Sequence, residues 1–276
     1  IDDVRRLLDG LEAQTYPDGQ YEVIVVDNDS DVPVRPQLTP RSFLRICHET
    51  KQGSYAARNR GVEGAKGEIL AFTDADCRPS KTWIEAGVSH LQETGSDLAG
   101  GRIQLTFRED QPNPWEHFDA ANFLNQKKYV EKHKFGVTAN LFVRREVVDR
   151  HGAFLDDLPS SGDAEFCQRL VENGATITYA NDALIRHPAR RTFRQIISKL
   201  NRIEEGKRAL AEKGITEWSP PSLKWRRLLP AKSIPGVEGV EVTGIQKLKV
   251  LFGYTMLRWR GFVNDLEYKL TASISK

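Results

Sequence analysis

The sequence lacks several features that would assign the protein to a class directly. It has three cysteines in 276 residues, Cys47, Cys77 and Cys167, and no C-x-x-C pair. Cysteines this few and this widely spaced exclude a disulfide framework and a cysteine-rich zinc site, and they indicate reduced thiols in a cytoplasmic protein. No signal peptide is visible, and no apolar run approaches the about 18 residues of a membrane-spanning helix. Internal repeats and low-complexity runs are absent from the sequence as well.

A strong charge imbalance is also missing. The 40 Lys and Arg residues against 38 Asp and Glu residues give a formal net charge of +2. This is too small to indicate a nucleic acid as the partner. Hydrophobic residues at 39% and charged residues at 28% are typical of a soluble globular protein. The length allows one large domain, or one domain with an appendage.

The most informative stretch runs from Gly67 to Pro79 (G-E-I-L-A-F-T-D-A-D-C-R-P). Its apolar run at 69–73 predicts a buried strand that ends in a turn. Asp74 and Asp76 follow, and on an extended backbone their spacing would point both carboxylates to one side. Such a pair favours a hard cation, Mg²⁺ or Mn²⁺, that bridges carboxylates to a diphosphate. A solvated turn rich in aspartate is an equally good interpretation of this stretch alone.

The first part of the chain alternates predicted helices and strands. The patterns predict helices over 2–14 and from an N-cap at Ser54, and strands over 21–26, 43–47 and 69–73. This order indicates an α/β sheet with crossover helices.

Two groups of polar residues in this part are candidates for a ligand site. Asp27 and Asp29 follow an apolar strand, which favours a ligand site over an Asx-rich loop. Arg58, in the predicted helix, could reach a phosphate, although an exposed arginine needs no ligand.

Further elements follow as far as residue 190. Strands are predicted over 97–107, 137–143, 176–180 and 184–187, and helices from a cap at Ser80, over 144–148 and up to Gly174. Residues 115–129 are interpreted as an irregular helix that lines an acceptor cleft. Asp163 and Glu165 fall in the first turn of a helix, where negative charge is favoured in any protein. His187 is either a structural histidine or a metal ligand.

The last third is rich in basic and aromatic residues. Helical patterns over 193–212 and 248–270 combine Lys and Arg with Trp, Phe and Leu, as does the stretch at 224–229. Amphipathic helices of this kind suit the surface of an anionic membrane. The alternatives are packing onto the rest of the chain or onto a partner subunit. Nucleic acid is disfavoured, because no recognised binding module accompanies the charge.

Several stretches, taken in order, resemble family 2 glycosyltransferases of the GT-A fold. The match covers roughly residues 1 to 187, and the ordered set is specific although each stretch alone is weak. The stretches are V-I-V-V-D-N-D-S at 23–30, G-S-Y-A-A-R-N-R-G at 53–61, G-E-I-L-A-F-T-D-A-D at 67–76, T-A-N-L-F-V-R-R at 138–145, G-A-F-L-D-D-L at 152–158 and G-D-A-E-F-C-Q-R-L at 162–170.

The resemblance implies an α/β, Rossmann-like GT-A fold with a mostly parallel sheet flanked by helices. Residues 1–190 would form the catalytic domain, and 191–276 a helical, basic and aromatic C-terminal region. On the donor side, Asp27 would hydrogen-bond the nucleobase with Asp29 close by, and Arg58 would lie near the diphosphate.

The resemblance also implies roles around the metal and the acceptor. Asp74 would lie towards the ribose and the metal, and Asp76 would be a direct metal ligand. Asp163 would be the catalytic base. His187 is similar to a histidine that completes the metal site in some members of the family.

The sequence departs from the family in three places. Residue 1 is Ile and the single methionine is Met256, so we expect N-terminal sequence, including the family's first strand, to precede residue 1. Gly162 stands where the family often has Glu, which leaves Glu165 as an alternative to Asp163 as the base. The Q-x-x-R-W signature of processive synthases is missing, so addition of a single sugar is expected.

These features together predict a metal-dependent, inverting glycosyltransferase that uses Mn²⁺ or Mg²⁺. The donor would be a nucleoside-diphosphate sugar, with a UDP-sugar favoured. The acceptor would be a glycan or a lipid-linked molecule in the synthesis of cell-surface polysaccharide or glycoconjugate. The enzyme would be cytoplasmic, or peripheral on the inner face of the membrane. Two alternatives stay open: a sugar-phosphate nucleotidyltransferase, and a non-catalytic module that binds nucleotide-sugars or glycans.

Overall fold

The computed structural model describes residues 1–219, 224–237 and 239–274. It divides the chain into two compact units. The first unit comprises Ile1–Leu105 and Leu124–Pro188, and the second comprises Thr106–Phe123 and Ala189–Lys276. The sequence predicts a single division after residue 190, whereas here the short segment 106–123 belongs with the C-terminal unit.

The elements alternate along the first part of the chain as the apolar periodicity predicts. In order they are α1 (Asp2–Glu12), β1 (Val23–Asp27), β2 (Leu44–His48), α2 (Ser54–Gly64), β3 (Ile69–Thr73), β4 (Arg78–Pro79), α3 (Trp83–Thr94), β5 (Leu98–Thr106), α4 (Pro114–Asn122), α5 (Gln126–His133), β6 (Asn140–Arg144), α6 (Arg145–His151), α7 (Gly162–Glu172), β7 (Ile177–Pro188), α8 (Phe193–Glu212) and α9 (Gly244–Ile274). Short 3₁₀ helices lie at Arg35–Gln37 and Trp225–Leu228.

The strands of the first unit form two sheets among the described residues. β1 pairs in parallel with β2, with Val23 opposite Leu44. The other sheet has the order β3-β6-β5-β7-β4, in which β6 is antiparallel to β3 and to β5, and β4 is antiparallel to β7. The α/β class is confirmed, but the expected mostly parallel sheet is instead mixed. A continuous apolar run is typical of a strand in a parallel sheet, but β6 shows the same pattern because it is buried along most of its length while antiparallel to its neighbours.

The core of the first unit lies where α1 and α3 pack on the five-stranded sheet. Trp83 and Phe142 are fully buried there, with ring centroids 5.1 Å apart. A Cβ atom at Gly87 would lie 2.2 Å from the Phe142 ring, so the glycine lets α3 approach β6 closely. Truncating a buried ring of this kind costs about 3–5 kcal/mol, which makes Phe142 a main contributor to the stability of the fold.

Several local predictions need correction. The N-caps of α2 and α3 are Gly53 and Thr82, not Ser54 and Ser80. The two strands expected over 176–187 form one strand, β7, and the single irregular helix expected over 115–129 is resolved into α4 and α5.

The glycine pair in β5, Gly100 and Gly101, does not interrupt that strand. A Cβ atom at Gly101 would lie 2.4 Å from the Asn140 amide, so Gly101 makes room for a buried side chain of β6. The Asn140 amide in turn donates to the backbone carbonyls of Arg102 and Ala183, which ties three strands together.

The second unit is helical, as the sequence predicts. α4 packs on α9, with Phe118 and Tyr254 rings 5.1 Å apart, and a Cβ atom at Gly253 would lie 2.7 Å from Pro114. Buried acids of α4 pair with the residues before α8. Asp119 lies 3.1 Å from Arg190, and Glu116 lies 3.3 Å from Arg191. Within the described residues, none of the helices has the length and apolarity that crossing a bilayer requires.

Candidate functional site

The two aspartates after β3 lie in a tight turn. β3 ends at Thr73, and the Cys77 amide donates to the Asp74 carbonyl oxygen at 3.0 Å. The expectation of an extended backbone with both carboxylates on one side is therefore wrong, because the chain reverses before Arg78. The two carboxylates make separate contacts, Asp74 with Arg58 and Asp76 with His187.

Asp76 and His187 come together because β4 pairs with the end of β7. The His187 Nε2 atom lies 3.8 Å from the Asp76 Oδ1 atom, with the ring buried and the carboxylate partly exposed. The His187 Nδ1 atom lies 2.8 Å from the Pro188 carbonyl oxygen, to which a protonated Nδ1 donates. That tautomer presents the lone pair of Nε2 on the side of Asp76, which is the arrangement common among metal-binding histidines.

The third group beside this pair is the Cys77 thiol. The possible ligand atoms of Asp76, Cys77 and His187 all lie within 4.8 Å of one another. Burial raises the pKa of Cys77 to about 12, so without a bound metal its sulfur is a neutral thiol at physiological pH and a weaker ligand than a carboxylate. A carboxylate oxygen and an imidazole nitrogen remain, and this donor set fits Mn²⁺ or Mg²⁺ better than a thiophilic metal.

A second cluster forms around Arg58 of α2. Its guanidinium lies 2.7 Å from the Asp74 carboxylate and 5.6 Å from the centre of the Tyr55 ring. Tyr55 and Arg58 are three residues apart and share one face of the helix. The ion pair is only partly exposed, so Arg58 is held in one orientation beside the turn after β3.

Asp163 joins this cluster from the first turn of α7. The Tyr55 hydroxyl accepts from the Gly162 amide at 2.9 Å and from the Asp163 amide at 3.3 Å, and it lies 3.4 Å from the Asp163 carboxylate. Burial raises the pKa of Asp163, and the nearby Asp74 carboxylate adds to the rise, while Arg58 opposes it. A carboxyl group with a raised pKa is a stronger base than an ordinary one.

Glu165, the alternative to Asp163, is engaged elsewhere. Its carboxylate is buried and lies 2.6 Å from Arg169, one helical turn later. The same guanidinium donates to the carbonyl oxygens of His151 and Ala153, at 2.5 and 2.6 Å. Glu165 therefore neutralises an arginine that holds the chain before α7.

The position of the Tyr55 ring explains why residue 162 is a glycine. A Cβ atom at Gly162 would lie 2.7 Å from the Tyr55 ring, and the preceding Ser161 has a φ of 65°. The ring thus fills the space that a side chain at 162 would need. Tyr55 is the residue that the sequence interpretation missed, although it lies inside the G-S-Y-A-A-R-N-R-G stretch, one helical turn before Arg58.

Aromatic packing holds the elements of this cluster together. Phe154 contacts the rings of Tyr55, Phe72 and Phe166, at centroid distances of 5.7, 5.3 and 4.1 Å. The Asn59 side chain also exchanges hydrogen bonds with the Phe154 backbone. α2, β3 and α7 are therefore fixed relative to one another beneath Asp74 and Asp163.

The polar loop after β1 is organised by its own side chains. The buried Asp27 carboxylate accepts from the Val34 amide at 2.9 Å and from the Ser30 amide at 3.2 Å, and the Val34 hydrogen bond is the main cause that lowers the pKa of Asp27. Asp29 is exposed, has a φ of 57° and lies 4.0 Å from His48.

Asn28, between these two aspartates, connects the loop to the start of α2. Its amide donates to the carbonyl oxygens of Glu49 and Lys51, and its side-chain oxygen accepts from the Gly53 amide at 2.8 Å. The sequence interpretation gave Asn28 no role, because hydrogen bonds to backbone 21 to 25 residues away leave no local pattern.

Comparison with known proteins gives a consistent result. The family model described as "Glycosyl transferase family 2" matches residues 1–152. The glycosyltransferase AglE of Haloferax volcanii is 38% identical over 213 residues, which cover 74% of this chain and 68% of AglE. The pre-mycofactocin glycosyltransferase of Mycobacterium tuberculosis is 28% identical over 204 residues, covering 71% of this chain but only 42% of that protein.

Solved structures share the fold. The mannosyltransferase PcManGT from Pyrobaculum calidifontis, solved with GDP-Man and Mn²⁺, has a TM-score of 0.60 at 18% identity. The match covers all of this chain and 72% of that one. S. aureus TarS, solved with UDP-GlcNAc, has a TM-score of 0.51 at 20% identity over 68% of this chain and 55% of that one.

Proposed function

The chain belongs to glycosyl transferase family 2 and is a glycosyltransferase, and we propose that it transfers one sugar from a nucleoside-diphosphate sugar to an acceptor hydroxyl with inversion at the anomeric carbon. The observation that carries this proposal is the environment of Asp163. Its carboxylate lies 3.4 Å from the hydroxyl of Tyr55, whose ring lies beside Arg58, the ion-pair partner of Asp74. Burial raises the pKa of this carboxyl group. A base in that place can serve an acceptor on one side while the donor diphosphate lies on the other.

The proposed reaction is a single displacement. The acceptor oxygen attacks the anomeric carbon from the face opposite the nucleotide, and Asp163 takes the proton of that hydroxyl. The bond between the anomeric carbon and the diphosphate oxygen breaks, and the nucleoside diphosphate leaves with the electron pair. The hydroxyl of Tyr55 holds the backbone at 162 and 163 and so keeps the carboxylate in place.

Asp76 and His187 would hold the divalent ion. Their oxygen and nitrogen donors fit Mn²⁺ or Mg²⁺, as described above. Such an ion, when bound, neutralises the negative charge that grows on the departing diphosphate. Arg58 supplies a further positive charge near the phosphates, in an orientation that Asp74 fixes. We assign Asp74 to the ribose side of the site.

The loop after β1 is proposed to receive the nucleobase. Asp27 stays ionised because backbone hydrogen bonds lower its pKa, and a carboxylate can accept from the N–H groups of a base. Asp29, exposed on the same loop, would lie close by.

The donor class is supported by the ligands of the structural neighbours. PcManGT was solved with GDP-Man and Mn²⁺ and TarS with UDP-GlcNAc. We propose a UDP-sugar as the donor here. We further propose that the acceptor is a glycan or a lipid-linked molecule used for cell-surface polysaccharide or glycoconjugate, and that the enzyme works in the cytoplasm, in peripheral contact with the inner face of an anionic membrane.

Substitution of the base tests the proposal. Asp163→Asn is expected to lower sugar transfer by about 100-fold or more, because it removes the proton acceptor while keeping the shape of the side chain. Donor affinity, measured by calorimetry with Mn²⁺, should stay near the wild-type value. Asp149→Asn, at an exposed position of α6, is the matched control. Transfer by Asp163→Asn at more than about a tenth of the wild-type rate would refute the role of Asp163.

A further inference from the structure

α9 exposes an apolar stripe along one face. The spacings of its members, three, four, seven, four and three residues, place them on the same side of a helix. Three of them expose between 62% and 72% of their surface, which is unusual for such side chains in one patch. The α9 stripe consists of Ile245, Leu248, Phe252, Trp259, Val263 and Leu266.

The stripe is not the packing face of α9. The opposite side of the helix buries Val250 and Leu257 within the second unit. Gly253 lies against Pro114 of α4, and Asp265 forms a 2.5 Å ion pair with Arg227. The buried face of α9 therefore supplies the apolar contacts with the rest of the second unit, and the stripe is a separate apolar surface of the same helix.

The 3₁₀ helix at Trp225–Leu228 borders the stripe. The Trp259 indole N–H donates to the Leu228 carbonyl oxygen at 2.9 Å, and the Trp225 ring lies 5.2 Å from the Phe262 ring. Trp225 itself is 67% exposed. Two tryptophans thus stand beside the exposed leucines and phenylalanine.

Among the described side chains of α9 and of residues 224–228, the exposed charge is positive. Within the part of α9 whose side chains are described, the acidic residue is Asp265, which is buried in its pair with Arg227. The exposed cations on α9 and on the 3₁₀ helix with its preceding residue are Lys224, Arg226, Lys247 and Lys249. These four cations form the basic border of the stripe. A second copy of the chain docked on the stripe would place the same positive charges against them, and like charges repel.

We propose that the α9 stripe binds the surface of an anionic lipid bilayer. Apolar side chains would enter the boundary between headgroups and acyl chains, the tryptophans would lie at headgroup level, and the basic border would face the lipid phosphates. The inference deepens the proposed peripheral contact. A lipid-linked acceptor at that membrane would follow only if the proposed function is right. Binding of the α9 stripe to the bilayer does not depend on it.

Vesicle co-sedimentation of the full chain tests the inference. The wild type should bind vesicles of phosphatidylcholine mixed with phosphatidylglycerol at least about tenfold better than vesicles of phosphatidylcholine alone, and salt should weaken the binding. Leu248→Ser combined with Phe252→Ser should lower the partition coefficient at least about tenfold, because two large apolar anchors are removed. Ile215→Ser, an exposed apolar residue outside the stripe, should bind as wild type does.

Two results would overturn the inference. One is a wild-type chain that stays in solution with both kinds of vesicle at low salt. The other is a double variant that binds as well as the wild type. If light scattering instead shows a dimer that the double variant loses, without vesicle binding, the occupant is a second copy and the membrane is excluded. Affinity for the donor nucleotide, measured without vesicles, reports on the proposed function separately.

Discussion

Tyr55 connects the residues that carry the proposed chemistry. Its hydroxyl accepts from two backbone amides at the start of α7, and its ring fills the space over Gly162 and lies beneath Arg58. The Tyr55 ring occupies the space that a larger side chain at 162 would need. The absence of Glu at 162 is therefore matched by the packing of Tyr55.

Removal of the Tyr55 hydroxyl should act on catalysis more than on binding. Tyr55→Phe leaves the ring but deprives the Gly162 and Asp163 amides of their acceptor, and a hydrogen bond of this kind contributes about 1 kcal/mol. We expect kcat to fall about fivefold with the donor KM changed less than about twofold. Steady-state kinetics measure both, with Tyr16→Phe as the control. An unchanged kcat would mean that the hydroxyl does not position Asp163.

The raised pKa of Asp163 predicts two pH effects of known sign. As a base, Asp163 works when ionised, so the acid limb of kcat/KM should lie above the ordinary carboxyl range. The folded state also holds this proton to a higher pH than the unfolded state does. The free energy of unfolding therefore falls as the pH rises from the unfolded pKa to the folded pKa.

Asp163→Asn removes the free-energy cost of ionising a buried carboxyl group, so the variant should unfold at a higher urea concentration than the wild type at neutral pH. The difference should shrink below the ordinary carboxyl pKa, where the wild-type group is protonated in both states. Urea unfolding at several pH values checks this prediction, and a variant that is less stable than wild type at neutral pH would contradict it.

Helix α7 carries two acidic residues in its first turn, and these two side chains make different contacts. Asp163 lies by Tyr55, whereas Glu165 pairs with Arg169, which holds the carbonyl groups before the helix. The first-turn position alone favours both acids equally through the helix dipole, so sequence reasoning leaves the choice open. The partners across the fold distinguish them.

Glu165→Gln should therefore affect stability and not transfer. Loss of the buried charge weakens the bond to Arg169, and we expect a fall of about 1–3 kcal/mol in the free energy of unfolding. The kcat should stay within about threefold of the wild type, because the proton acceptor is intact. A loss of transfer as large as that of Asp163→Asn, in a folded variant, would reassign the base to Glu165.

The elements with strong periodicity were predictable, and the local geometry between them was not. α1, α8 and β3 follow from apolar spacing that the chain itself displays. The turn at 74–77 was expected to be extended, because a D-x-D spacing carries no sign of the backbone hydrogen bond that closes it. β7 was expected as two strands, because the polar residues at its middle interrupt the apolar pattern without interrupting the strand.

At the scale of the whole molecule, the family and the α/β class were predictable from ordered motifs, and both are confirmed. The boundary between the units was harder to predict. Asp119 and Glu116 lie about 70 residues from Arg190 and Arg191, and these buried pairs draw the segment 106–123 into the second unit. Pairings at such separation leave no periodicity in the sequence.

A crystal structure with UDP and Mn²⁺, in which the anomalous signal of manganese locates the ion, decides whether the turn after β3 and the end of β7 bind the donor. We expect a manganese peak within coordination distance of the Asp76 carboxylate and the His187 Nε2 atom, with the diphosphate beside it and Asp163 on the far side of the sugar site. A nucleotide and metal bound away from residues 74–76 and His187 would contradict it.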